Sequence, residues 1–169
     1  MADLASTDAD KNPSWLSIAR TLLVHLRLHF QLLLAPIFLW GYWLAGGVLN
    51  REFWVAFLAF HVFLYGGTTA FNSYYDRDEG PVGGLVKPPP VVQVLLPFSL
   101  FVQAVGALLA LSINLTFALI YLLIFALGFA YSHPRFRWKS RPLAGLLTVG
   151  IGQGVLAGLG GWTAANPSL

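Results

Sequence analysis

Residues 30–49 carry a single strongly polar side chain, Gln31, and four more runs of that kind follow at 53–71, 91–111, 115–132 and 143–163. About twenty residues, at roughly 1.5 Å of rise each, match the ~30 Å hydrocarbon core of a bilayer. Inside lipid a backbone must satisfy its own hydrogen bonds, so runs of this length read as helices. Only 10% of the residues are charged, against about 25% in an ordinary soluble domain. The expected fold is an all-α, polytopic transmembrane helical bundle with about five spanning helices. The 169 residues then form one transmembrane domain over 15–169, behind a polar, disordered cytoplasmic tail at 1–14. Asp3, Asp8 and Asp10 in that tail are foreign to the basic start of a cleavable signal peptide.

The lipid bilayer is thus the first expected partner. A net charge of +3 is too small to suggest nucleic acid, and a chain without cysteine has no disulfide, thiolate metal site or cysteine nucleophile. Residues 15–29 mix apolar side chains with Arg20, His25, Arg27 and His29, and read as an amphipathic helix along the interface. Pro36 is expected to kink the first span. Short turns at 50–52 and 112–114 make successive helices antiparallel, while Pro88, Pro89 and Pro90 hold back the third span until about Val91. Gly150, Gly154 and Gly158 recur every four residues, a stripe that would let another helix approach closely. Five spans put both long polar loops at one end. Nine of the ten Lys and Arg residues fall at that end, Arg51 being the other, which predicts that the N-terminus and both loops are cytoplasmic.

Three of the seven carboxylates, Asp76, Asp78 and Glu79, lie within four positions of one another, and no acid follows them. If the second helix continues past Phe71, then Thr68, Asn72, Asp76 and Glu79 share one face. Asp78 points elsewhere, unless Gly80, Gly83 and Gly84 unwind the helix and bring it round. Magnesium prefers oxygen and is often held by one or two carboxylates together with substrate phosphates. The plainer alternative is that these acids solvate a loop and pair with Arg77 or Lys87. Three features favour the metal: an Asn one turn before the Asp, glycines that permit close backbone approach, and a basic loop on the same side.

The stretch Asn72-Ser73-Tyr74-Tyr75-Asp76-Arg77-Asp78, with the Gly-Pro-Val-Gly-Gly-Leu run and prolines after it, resembles the first aspartate-rich motif of the UbiA-type intramembrane prenyltransferases. The match lies at Asn72 and Asp76. It departs at Ser73, where the family often has Asp, and at Gly80, where its last Asp would fall, leaving that role to Asp78 or Glu79. Tyr131-Ser132-His133-Pro134, with Arg137, Lys139 and Arg141 after it, is similar to the family's Tyr-Ser and Lys loop. The resemblance implies Mg2+ on Asn72, Asp76, Asp78 and Glu79, with Asp76 and Asp78 serving catalysis. It implies a prenyl diphosphate gripped by Arg27, Tyr131, Arg137 and Lys139, and prenyl transfer to an aromatic or other lipophilic acceptor. Family members are nine-helix bundles with a second aspartate-rich motif after the sixth helix. The chain resembles the first half of one, and is expected to be a fragment, a truncated reading frame or one half of a split enzyme. Alone it would be inactive unless a C-terminal-half partner completes it.

Other candidates have plainer readings. His25 and His29 stand four apart, a metal-ligand spacing, but two ligands without a third favour an interfacial role. His61, mid-span, is read as a neutral imidazole hydrogen-bonded to a neighbouring helix. Tyr74 and Tyr75 either face an allylic cation or anchor the helix at the interface. Arg135, Arg137 and Lys139 act as topology signals whether or not they bind phosphate. The competing function is a non-catalytic ion-path or lipid-head-group-binding component. A carrier of that kind places charges or broken helices near the midplane, whereas here the charges gather at one surface.

Overall fold

The computed structural model describes residues 14–166 and 168; the tail expected at 1–14 lies, Ser14 apart, outside them. Six helices follow in order: α1 (Trp15–His25), α2 (Leu28–Leu44), α3 (Arg51–Asp76), α4 (Leu95–Ile113), α5 (Leu115–Ser132) and α6 (Pro142–Ala165). No strand occurs among the described residues. Counting α1 and α2 as one run, five helices are long and apolar enough to cross a membrane. Leu32, Leu33, Trp40, Leu108, Leu119 and Leu146 all face outward, exposed. An apolar girdle this extensive requires lipid or protein around it.

Local chemistry sets the helix ends away from the acidic stretch. Asn50 opens α3, its Oδ1 accepting from the Phe53 N–H at 2.9 Å. Asn114 opens α5 in the same way, accepting from the Phe117 N–H at 2.7 Å. These caps satisfy amide donors that a helix start leaves free. Asn114 also donates through Nδ2 to the Thr163 carbonyl at 2.8 Å, tying the start of α5 to the end of α6. Between the helices Phe38, Phe60, Phe117 and Tyr121 are buried in one aromatic core, the Phe60 and Phe117 rings stacked at 4.9 Å.

The first span differs from its expected form. The chain breaks at Leu26–Arg27, where Arg27 takes a left-handed conformation (φ +48°), and α2 then runs through Pro36 to Leu44. The freed Leu26 carbonyl accepts from Gln31 Nε2 at 2.9 Å and has the Thr69 hydroxyl at 3.0 Å. Such partners satisfy the polar groups that a helix end leaves free. The span expected to reach Leu49 ends at Leu44, because Gly46 (φ +78°) turns the chain and Tyr42 donates its hydroxyl to the Val48 carbonyl at 2.7 Å. The third span begins at Leu95 rather than Val91, after a turn closed by Leu95 N–H on the Val92 carbonyl at 3.0 Å.

The glycine stripe is also corrected. Gly150 and Gly154 face open space, and only Gly158 meets another helix. The close approach is made instead by Gly41 of α2 against the Gly158 carbonyl, and by Gly161 against the Phe38 carbonyl. α6 winds as a wider π-helix over Gly150–Leu156. α2 packs on the part of α6 that follows this stretch, at Gly158 and Gly161, and leaves Gly150 and Gly154 outside the contact. A second π-helical stretch, Ala59–Tyr65, lies within α3.

Candidate functional site

The last turn of α3 presents Asn72 and Asp76 four residues apart, on one face. The helix stops there because Arg77 turns left-handed (φ +51°), its N–H bonding the Ser73 carbonyl at 3.0 Å. Across from this face a short 3-10 turn, Trp138–Ser140, follows Arg137, itself left-handed (φ +43°). That turn delivers Lys139. Its ammonium donates to Asn72 Oδ1 at 3.1 Å and forms an ion pair with Asp76 Oδ1. The Ser132 hydroxyl at the end of α5 donates to the same Asn72 oxygen at 2.7 Å. Both partners of the ion pair keep only 15% of their side-chain surface exposed. The two polar loops therefore meet at one end of the bundle.

Arg27 reaches this end from the break between α1 and α2. It is buried, and its Nη2 donates to the Ser73 hydroxyl at 2.7 Å. Asp78 and Asp76 supply the opposing charge that its guanidinium feels. Val82-Gly83-Gly84-Leu85 forms a two-residue hairpin turn, its ends joined by backbone bonds of 2.8 and 2.9 Å. Both glycines have positive φ, +48° and +82°, the pattern that selects glycine in such turns. A methyl on Gly83 would sit 2.6 Å from Arg27 Nη1 and one on Gly84 2.5 Å from His29 Nε2. Glycine thus serves twice here, for backbone angle and for room.

The remaining acids stand apart from this pair. Glu79 was expected on the Asn72 and Asp76 face, which required the helix to continue. It ends at Asp76, so Asp78 and Glu79 lie exposed in the following loop. Arg137 is exposed as well, while Tyr131 borders a cavity of about 170 Å³ immediately beneath Asn72. That cavity lies between α3, α5 and α6, and both π-helical stretches border it, through Tyr65 on one side and Gly152 and Gln153 on the other. Bulges of this kind recur at functional sites.

Other candidates resolve into packing. The break at Leu26–Arg27 separates His25, buried, from His29, exposed, so the two do not share a helix face. His61 is buried among aromatic rings, 4.4 Å from Phe57 and 5.4 Å from Phe38 between centroids, with the Gln31 backbone of the neighbouring α2 beside it. Tyr75 packs against Phe71 and His133, and Tyr74 against a small core around Leu26 and Leu95. Two contributors went unassigned in the sequence: Ser73, which stands out there only as a departure, and Ser132, quoted there without a role. No spacing rule singles out a serine, and only the fold shows what each touches.

The fit of a divalent cation follows from the position of the Lys139 nitrogen. One cation already contacts both Asn72 Oδ1 and Asp76 Oδ1, so the two oxygens converge on a single point. They are hard donors, suited to magnesium. No group of three His, Asp or Glu side chains with metal-binding geometry occurs among the described residues. A divalent cation at that point would take two oxygens from the described residues, and its other ligands from elsewhere.

A helical membrane bundle with a carboxamide, a carboxylate and an ammonium converging at one end defines the class of protein. The UbiA prenyltransferase family model matches residues 34–169, and the chain belongs to that family. The match starts within α2, so the contacts of Arg27 are known from the structure alone. Comparison with curated proteins and with solved structures gave no match. Family and fold together make this an integral membrane protein of general prenyltransferase type.

Proposed function

We propose that the chain binds a prenyl diphosphate with Mg2+ and serves prenyl transfer to an aromatic or other lipophilic acceptor. The convergence of Asn72 Oδ1, Asp76 Oδ1 and the Lys139 ammonium on one point carries this reading. Asn72 and Asp76 hold the metal, with Asp78 or Glu79 joining from the adjoining loop in place of the motif's last acid; Asp76 and Asp78 are the proposed catalytic acids. When bound, the metal neutralises charge growing on the departing diphosphate. Lys139 passes from Asp76 to the diphosphate, joined by Arg137, Tyr131 and Arg27. The cavity beneath Asn72 receives the apolar part of a ligand. Among the described residues its lining is uncharged, so a neutral group enters it without a buried, unpaired charge.

Positive charge gathered at the motif end supports a cytoplasmic orientation for both loops. In the family a second aspartate-rich motif faces the first, and efficient ionisation of the donor is expected to use both. Charged groups cluster at one end of the bundle rather than at mid-depth, which favours this reading over an ion path.

The test is binding of an inert prenyl thiodiphosphate to detergent-purified protein, titrated with Mg2+. Binding should require the metal. Lys139→Met should weaken it about tenfold, the scale of a hydrogen bond to a charged group, while membrane insertion stays normal. A variant that inverts or fails to insert would instead make the loop a topology signal alone.

A further inference from the structure

The Asn72 side chain has two unlike ends, an oxygen that can ligate a cation and an amide group that repels one. Its terminal torsion is soft, so neither orientation is enforced by the side chain itself. Two groups donate to Oδ1, the Lys139 ammonium and the Ser132 hydroxyl. In the reading above Lys139 leaves for the diphosphate, so it cannot fix the carboxamide once ligand is bound. Ser132 stays. It is fully buried on the last turn of α5, and among the described residues its hydroxyl donates to Asn72 Oδ1. A flipped carboxamide would present its amide group to that hydroxyl, which would then accept instead of donate and lose the bond it now makes to the oxygen.

We propose that Ser132 is a positioning residue, whose hydroxyl holds the Asn72 oxygen toward the cation point shared with Asp76. This rests on the metal-diphosphate reading. Its signature is a dependence on the asymmetry of residue 72: an aspartate there would have two equivalent oxygens and need no orientation.

The experiment measures the Mg2+ concentration giving half-maximal binding of geranyl S-thiolodiphosphate, in wild type, Ser132→Ala, Asn72→Asp and the double variant. Ser132→Ala should raise it about tenfold, the usual scale for losing a group that orients a metal ligand. In the Asn72→Asp background the same change should move it less than about twofold. An equal rise in both backgrounds, or none in the first, overturns the proposal. Ser132→Cys, which keeps the volume with a weaker donor, should fall between, and carries the test if Ser132→Ala unfolds. Wild type that binds the analogue without regard to Mg2+ overturns the metal reading and this inference together. Magnesium-dependent wild type with an unaffected Ser132→Ala overturns the inference alone.

Discussion

Asp76→Asn is expected to abolish magnesium-dependent capture of a prenyl diphosphate, lowering affinity by about a hundredfold or more while the bundle stays folded. Asp76 is the carboxylate that shares a helix face with Asn72, and the loss of its charge leaves two neutral oxygens at the cation point. Removal of an outer partner of a metal ligand already costs about 10–100-fold in affinity, so removing a proposed ligand should reach the top of that range. The measurement is equilibrium binding of the thiodiphosphate with and without Mg2+, beside a thermal unfolding midpoint in detergent. Asp78→Asn and Glu79→Gln, tested singly, identify which loop carboxylate joins the metal. Full magnesium-dependent binding by Asp76→Asn would remove the metal from this face.

Gly161→Leu should be the most damaging single substitution away from the site. A side chain there would overlap the Phe38 carbonyl and crowd the Tyr42 backbone, neither of which can move without separating α2 from α6. Overpacking a core commonly costs about 1–3 kcal/mol, and the backbone obstruction places this case at or beyond the upper end. Gly150→Leu, facing open space, should change stability by less than about 0.5 kcal/mol. Loss of monodisperse protein and a fall in unfolding midpoint for the first variant, with neither for the second, is the expected result. Equal tolerance of both would mean that α2 and α6 do not pack through Gly161.

Much of the architecture was readable because a bilayer makes length and polarity nearly decisive. The span at 115–132 is observed residue for residue. The Asn72 and Asp76 spacing was sound since it relied on helix periodicity alone, and the antiparallel count put both loops at one end. What the residues concealed was conformation stabilised from far away. Arg27 is left-handed with no local signal, and Ser73, Thr69 and Gly83, distant in the chain, surround the break there. Arg77 ends α3 in the same conformation without being glycine, an uncommon choice that sequence does not announce. The stripe of Gly150, Gly154 and Gly158 misled because a run of small residues does not say how far along it a partner helix stays in contact, and α2 meets only its last member and Gly161.

The π-helical stretch within α3 has a consequence for the site. Ala59–Tyr65 carries Phe60 of the aromatic core and lies between Phe53 and the site at Asn72 and Asp76. A wide turn absorbs surplus length while the flanking segments keep their α-helical form. It works as a slip joint, setting the angular phase of the last turn separately from that of the core. Removing one residue within it should return the stretch to ordinary winding with Asn72 still facing Lys139. The same deletion between Gly66 and Phe71 would turn Asn72 and Asp76 by about 100°, away from the ammonium they now share.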